Sequence, residues 1–147
     1  GSVYVGNVVR LRRKFATASA LVPAAVRTDS CLPEAPATVG VISFGSTAPA
    51  MDEALDHFTA DGLAIDSLRL RAYPFGPEVS EFIESHDQVF VVEQNRDAQM
   101  RGLLINEGGL DPAKLVSLLN YDGMPLTAAF VVEHVRSHLN QSQVAAE

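Results

Sequence analysis

Five consecutive polar residues directly follow the most apolar run of the chain. The apolar run is Val89-Phe90-Val91-Val92, and the polar tip is Glu93-Gln94-Asn95-Arg96-Asp97. Polar groups at the carboxyl end of a buried strand stand where open α/β sheets bind ligands and contact other subunits. They also cost free energy there unless they are hydrogen-bonded or solvated. Two interpretations therefore stay open, ordinary loop capping and a crevice that meets a ligand or a partner subunit.

A second polar tip, Asn120-Tyr121-Asp122-Gly123, follows the apolar run at 115–119. If both runs are parallel strands, their carboxyl ends lie along the same edge of one sheet. A third segment, Gly45-Ser46-Thr47, also follows a predicted strand, at 39–44, and opens a helix. We therefore predict a candidate interface or strand-end site at this edge, formed by Ser46, Glu93, Gln94, Asn95, Arg96, Tyr121 and Asp122.

The Gly45-Ser46-Thr47 segment has two interpretations. Backbone amides at the start of a helix can hold a phosphate. The segment lacks the lysine and the full glycine spacing of a nucleotide-binding loop. A helix cap combined with a tight turn explains it without any ligand.

Other residues that could do chemistry favour structural interpretations. His134 and His138 have the i, i+4 spacing of a metal pair, but Val-Arg-Ser separates them and no third ligand is evident. We interpret them, and likewise His57 and His86, as ordinary histidines, those of the last helix being favoured by its dipole. Cys31 has no basic neighbour that would activate its thiol as a nucleophile. We predict no catalytic residue, no cofactor-binding residue and no metal ligand.

Composition indicates one domain in a reducing compartment. The chain has 147 residues, 47% of them hydrophobic and 20% charged, and a single cysteine, which cannot form an internal disulfide. No apolar stretch approaches the roughly 18 residues that span a bilayer. We therefore expect a cytoplasmic protein that does not associate with a membrane.

The charge is unevenly distributed along the chain. Residues 1–28 hold five of the eleven basic residues and none of the eighteen acidic ones, although the whole chain has a net charge of −7. The acidic remainder argues against nucleic acid or an anionic membrane as a partner. We interpret the basic segment as a helix that docks on an acidic surface of the same assembly, with a nucleic-acid arm as the alternative.

Periodicity predicts an α/β fold. Apolar spacing indicates a helix at 7–22, and the prolines that follow it indicate a linker. We therefore assign residues 1–36 to a basic helix and linker. The α/β domain is assigned to 37–140, and a polar tail to 141–147. Four predicted strands alternate with helices of about ten residues, which favours parallel pairing. The prediction is a three-layer domain with a mostly parallel four- to five-stranded sheet and helices on both faces. The strands are predicted at 39–44, 64–72, 88–93 and 115–119, and the helices between and after them at 49–61, 78–86, 97–105 and 127–139.

Four stretches carry a resemblance to a known family. They are RKFATASALVPAAV at 13–26, GVISFGSTAPAMDEAL at 40–55, LRLRAYPFGPEVSEFIESHDQVFVVEQNRDAQMRGLL at 68–104 and KLVSLLNYDGMPLTAAFV at 114–131. The chain resembles the C-terminal domain of the alpha subunit of 2-oxoacid:ferredoxin oxidoreductases, most closely the 2-oxoglutarate type (2-oxoglutarate synthase). The combination of VVEQNRDAQM with NYDGMPLTA is specific. The strand–helix order also resembles the C-terminal domain of transketolase-type enzymes.

The resemblance implies a parent enzyme that oxidatively decarboxylates a 2-oxoacid to an acyl-coenzyme A. It implies thiamine diphosphate, magnesium and an iron–sulfur cluster as cofactors, and the preceding domains of the same subunit, the beta subunit, ferredoxin and coenzyme A as partners. The family's Tyr-Pro-Ile-Thr-Pro-Ser run and its cofactor-diphosphate motif are absent here. The resemblance therefore implies a non-catalytic domain that binds none of these cofactors and makes interdomain and subunit contacts. The alternative is a stand-alone regulatory module that binds a small ligand or anion.

Overall fold

The structure, a computed structural model, describes residues 1–32 and 36–144. The strands are β1 (Val26–Thr28), β2 (Val39–Phe44), β3 (Ile65–Leu70), β4 (Gln88–Glu93) and β5 (Leu115–Leu119). The helices are α1 (Ser2–Ser19), α2 (Ala48–Ala60), α3 (Pro77–Glu84), α4 (Gln99–Gly108) and α5 (Ala128–Val144).

The five strands form one sheet in the order β1-β3-β2-β4-β5. The pairs β2–β3, β2–β4 and β4–β5 are parallel, and β1 pairs with β3 antiparallel at the edge. β4 lies inside the sheet and is covered on both faces, which is why it consists of a continuous apolar run rather than an alternating pattern. The predicted α/β class with a mostly parallel sheet is confirmed.

Helices cover both faces of the sheet. Along β4, successive side chains point to opposite faces, so that Phe90 packs into one core and Val91 into the other. The first core joins the sheet to α2 and α5, with Phe58 and Val131 among its buried side chains. The second core joins the sheet to α3 and α4, with Phe82 among its members. The predicted three layers are thus present.

The predicted linker is wrong in one part, because Val26–Thr28 forms the edge strand β1. All three residues are exposed, so the segment has no apolar alternation from which a strand could be predicted. Its pairing depends on distant contacts: the Arg27 Nη2 atom lies 2.8 Å from Asp66 Oδ2, and the Ser30 amide donates to Asp66 Oδ1 at 2.8 Å. The sheet therefore begins before residue 37, the predicted start of the domain.

Several helix ends also differ from the prediction. The first helix is Ser2–Ser19 rather than 7–22, and none of its residues is buried. The last helix continues to Val144, so the predicted polar tail is helical up to that residue, and 145–147 lie outside the described residues. Strands β2, β4 and β5 have the predicted bounds. Among the described residues, no helix is both long and apolar enough to cross a membrane.

Candidate functional site

The topology creates a crevice between the carboxyl ends of β2 and β4. The chain leaves β2 toward α2 on one face of the sheet, and it leaves the adjacent strand β4 toward α4 on the opposite face. Loops that diverge in this way leave an opening at the strand ends, and open α/β sheets characteristically bind ligands at such a switch point. The predicted polar tips lie at this edge.

A cleft of about 660 Å³ opens at the switch point. It brings together three of the predicted residues, Ser46, Gln94 and Tyr121, from the ends of β2, β4 and β5. Gln94 Nε2 lies 3.5 Å from Ser46 Oγ and 3.4 Å from Thr47 Oγ1, near the outer limit of hydrogen bonding. The other lining residues are Asn120, Gly123, Met124, Pro125 and Leu126.

Glu93 has an internal role. Its side chain is fully buried, and its oxygens accept hydrogen bonds from Asn95 Nδ2 at 2.8 Å, the Met100 amide at 2.8 Å and the Arg101 amide at 3.0 Å. Helix α4 has no capping side chain of its own, and a carboxylate at a helix N-terminus is favoured by the helix dipole. Of the two interpretations of this polar tip, Glu93 follows the capping one and not the interface one, because its charge caps α4.

The remaining predicted residues lie around the cleft rather than in its lining. Asn95 Oδ1 accepts from the Asp97 amide at 3.1 Å, and Asp122 Oδ1 accepts from the Met124 amide at 2.8 Å, so both side chains hold the turns that carry them. Arg96 pairs with the neighbouring Asp97 at 2.7 Å, and the arginine side chain is 75% exposed. Arg96 and Asp122 both have exposed charges at this edge of the sheet.

Asn120 and Met124 also line the cleft, although neither belongs to the predicted site. The Asn120 amide donates to the Glu93 carbonyl at 2.9 Å, and its Nδ2 donates to the Met124 carbonyl at 3.3 Å, which joins the two strand ends. The Asp122-Gly123 pair is typical of a tight turn and could have indicated that the chain reverses direction here. Gly123 has the positive φ of 87° that such a turn requires. The turn places Met124 at the cleft with 68% of its surface exposed.

A second polar cluster, formed by Arg27 of β1 with Asp66 and His86, lies next to the edge strand. His86, predicted to be an ordinary surface histidine, is 2% exposed, with Nδ1 at 2.6 Å from the Phe82 carbonyl and Nε2 at 3.3 Å from Asp66 Oδ2. Arg27 also contacts this Asp66 oxygen and pairs with Asp29. The hydrogen bond to Asp29, together with the charges of both carboxylates, raises the pKa of the Arg27 guanidinium above its ordinary value. The cluster attaches the edge strand to the sheet.

The two histidines with metal-like spacing have other partners. His134 Nδ1 lies 2.8 Å from the Phe130 carbonyl, and His138 Nε2 lies 3.1 Å from Gln88 Nε2. Within residues 1–32 and 36–144, no group of three or more histidine, cysteine, aspartate or glutamate side chains is placed to hold a metal ion.

The sheet and its switch-point cleft define a three-layer α/β domain, and comparisons connect it to one class of enzyme. The chain is 32% identical over 109 residues to the alpha subunit of 2-oxoacid:ferredoxin oxidoreductase 2 from Aeropyrum pernix. The match covers 73% of this chain but only 17% of that relative. No protein-family model matches the chain.

Two solved structures have the same fold. The 2-oxoglutarate:ferredoxin oxidoreductase from Magnetococcus marinus, solved with 2-oxoglutarate, coenzyme A and succinyl-CoA bound, matches with a TM-score of 0.72 at 22% identity, over 90% of this chain and 23% of its own. The alpha chain of a probable 2-oxoacid ferredoxin oxidoreductase from Thermoplasma acidophilum matches with a TM-score of 0.51 at 24% identity, over 80% of this chain and 97% of its own. The predicted resemblance is confirmed, and the chain corresponds to one domain of a 2-oxoacid:ferredoxin oxidoreductase alpha subunit.

Proposed function

We propose that this chain is the non-catalytic C-terminal domain of such an alpha subunit, and that it contacts the preceding domains and the beta subunit through the switch-point cleft. The parent enzyme would be a cytoplasmic oxidoreductase that converts 2-oxoglutarate or a related 2-oxoacid to an acyl-coenzyme A and reduces ferredoxin. Thiamine diphosphate, magnesium and the iron–sulfur cluster would be held outside this domain.

The observation that carries the proposal is the open apolar rim of the cleft. Tyr121 and Met124 are 64% and 68% exposed at its edge. Large apolar side chains grouped at the surface mark sites of protein–protein interaction, and aromatic residues and methionine are enriched in interface cores. An open rim of this kind is suited to a flat partner surface rather than to an enclosed small molecule.

The polar groups of the strand ends support the same function. Glu93 caps α4, and Asn95 and Asp122 hold their own turns, so these side chains are already paired within the domain. The described residues that line the cleft include Ser46, Gln94 and Asn120 but no lysine or arginine. An anion in this cleft would rely on hydroxyl, amide and backbone donors alone, which disfavours the regulatory anion-binding alternative.

The test uses the assembled parent enzyme. Replacing Tyr121 and Met124 together by Ala is expected to weaken subunit or interdomain association at least about tenfold, because buried aromatic anchors dominate interface energies. Val144→Ala removes a side chain that is 76% exposed at the end of α5, outside the cleft, and serves as the matched control. Association is measured by analytical ultracentrifugation and activity by ferredoxin reduction. Unchanged assembly and activity in the double variant would contradict the contact role.

The isolated chain provides the complementary measurement. Incubated with 2-oxoglutarate, coenzyme A, thiamine diphosphate, magnesium and a viologen dye, it is expected to give no turnover above a control without protein. Reproducible turnover would contradict the non-catalytic assignment. Titration calorimetry with inorganic phosphate tests the anion-binding alternative, which would be favoured by binding that Ser46→Ala abolishes.

A further inference from the structure

The imidazole ring of His86 lies between hydrogen-bond acceptors inside the domain. Its side chain is 1% exposed, with Nδ1 at 2.6 Å from the Phe82 carbonyl oxygen and Nε2 at 3.3 Å from Asp66 Oδ2. Ser85 Oγ lies 3.2 Å from Nδ1 and donates its own hydrogen to the Phe82 carbonyl at 2.9 Å, so that it also faces the ring as an acceptor. Both ring nitrogens therefore have to donate.

A neutral imidazole does not satisfy this arrangement. It has one donor nitrogen and one acceptor nitrogen, whereas the imidazolium has two donors. With the hydrogen on Nδ1, the lone pair of Nε2 faces the Asp66 carboxylate. With the hydrogen on Nε2, the lone pair of Nδ1 faces the Phe82 carbonyl at 2.6 Å. Only the protonated ring donates on both sides.

The Asp66 carboxylate connects His86 to the edge strand. Its Oδ2 atom, which contacts the ring, also accepts from Arg27 Nη2 of β1 at 2.8 Å. Its Oδ1 atom accepts from the backbone amide of Ser30 at 2.8 Å, two residues beyond the end of β1. A change in the charge of His86 therefore acts directly on the acceptor that β1 and the segment after it use.

Strand β1 has little burial to hold it in place by other means. It has three residues, all of them exposed, and pairs with β3 at the edge of the sheet. Its further contacts include the stacking of the Arg27 guanidinium on the Phe82 ring, 5.4 Å from the centroid, and the Ala25 amide, which donates to Glu78 Oε1 at 3.1 Å. Segments with few buried apolar contacts open locally at a small cost in free energy.

We propose that His86 is a pH-sensitive latch, whose imidazolium holds the Asp66 carboxylate in place for Arg27 and Ser30 and whose deprotonation releases β1 from the sheet. Asp29 and Asp66 contribute two negative charges to the cluster. Protonated His86 and Arg27 balance them, whereas loss of the proton leaves one negative charge uncompensated. Because the attached state binds one more proton, attachment is strongest at low pH and weakens as the pH rises. The proposal is independent of the switch-point cleft.

The other elements packed against His86 do not supply a second partner for its charge. Strand β2 presents Gly40, whose added Cβ would lie 3.3 Å from His86 Cγ, and α3 presents the Phe82 ring at a centroid distance of 4.4 Å. Lys114, directly before β5, donates to the carbonyl oxygens of Glu84 and His86 at 2.9 and 2.8 Å. This cation opposes a charge on the ring, whereas the carboxylate that contacts Nε2 favours it.

The experiment measures hydrogen exchange of the Ser30 amide between pH 6 and pH 8, with rates normalised to intrinsic exchange at each pH. Its protection factor is expected to fall at least about fivefold, within the limit of about tenfold per pH unit that one proton sets. The Asn120 amide, which donates to the Glu93 carbonyl at 2.9 Å, is the internal reference and is expected to change less than about twofold. All chains carry Cys31→Ser, so that the neighbouring thiol contributes no second proton.

Ring ¹⁵N NMR of the same chain follows the proton on His86 directly. Its loss and the fall in Ser30 protection are expected to have the same pH midpoint. Constant Ser30 protection while His86 titrates would overturn the proposal, and so would two different midpoints. Because this comparison needs no substitution at the cluster, it decides the proposal even if variants of the cluster do not fold.

Two substitutions and a matched control test the assignment to this pair. His86→Gln and Asp66→Asn are each expected to reduce the pH-dependent change in Ser30 protection to less than about twofold. His57→Gln alters a histidine of α2 whose side chain is 56% exposed, and it is expected to leave that change as it is in the parent chain. Circular dichroism checks folding. A folded His86→Gln chain with the parent's pH dependence, or loss of that dependence in His57→Gln, would overturn the proposal.

Discussion

The carboxylate of Glu93 lies 2.8 Å from the backbone amide of Met100, seven residues further along the chain. It also accepts from the Arg101 amide at 3.0 Å, so one side chain at the end of β4 supplies the cap of α4. Ala98, at the cap position itself, has a positive φ of 50° and no side chain able to accept a hydrogen bond. The buried carboxylate of Glu93 therefore stabilises the turn that connects β4 to α4.

Glu93→Ala is expected to lower the free energy of unfolding by about 3 kcal/mol, because it leaves two helix-terminal amides without their charged acceptor. Arg96→Ala on the same loop removes an exposed side chain and is expected to change the free energy of unfolding by less than about 0.5 kcal/mol. Urea denaturation of the isolated chain measures both. Equal effects of the two substitutions would mean that the Glu93 carboxylate does not support α4.

Gly40→Ala is expected to destabilise the domain by about 1–3 kcal/mol through overpacking. A Cβ atom at Gly40 would lie 2.7 Å from Phe82 Cε1 and 3.3 Å from His86 Cγ. Gly102→Ala in α4 is the control, since its Cβ would meet nothing within 4 Å. There the change is expected to stabilise the helix by up to about 1 kcal/mol. Thermal unfolding compares the two, and effects of the same sign would contradict the packing argument.

Phe90→Ala is expected to cost about 3–5 kcal/mol, because Phe90 is fully buried in β4 and packs edge-on against His138 at a centroid distance of 5.3 Å. Phe15→Ala deletes the same side chain from a helix position that is 52% exposed, and its expected cost is under about 1 kcal/mol. Thermal unfolding of the isolated chain measures both. An unchanged melting temperature for Phe90→Ala would show that β4 is not the centre of the core.

Two truncations separate α1 from the edge strand. Removal of residues 1–22 leaves β1 intact, so we expect a cooperative thermal transition close to that of the full chain. Removal of residues 1–28 deletes β1 and takes Arg27 away from Asp66, which we expect to cost about 2 kcal/mol more. Identical melting temperatures for the two truncated chains would show that β1 contributes nothing to the sheet.

The sequence by itself was sufficient to predict the parallel part of the sheet. The bounds of β2, β4 and β5 follow from continuous apolar runs that end abruptly at polar residues, and burial on both faces produces that pattern. The alternation with helices indicated the α/β class, whereas the docking role of the basic segment 1–28 stays a prediction. Ser46, Gln94 and Tyr121 were also placed correctly at one edge, because carboxyl ends of parallel strands must share it.

Only the tertiary structure decided the roles of individual polar groups. Local periodicity reports whether a segment is buried, but it does not report which distant atom satisfies a buried carboxylate. Glu93 was therefore included in the candidate interface or strand-end site although it caps α4. His86 and Asp66 were not connected although they meet across 20 residues. Strand β1 was missed for the same reason: its three residues are exposed, and pairing with β3, some 40 residues away, makes them a strand.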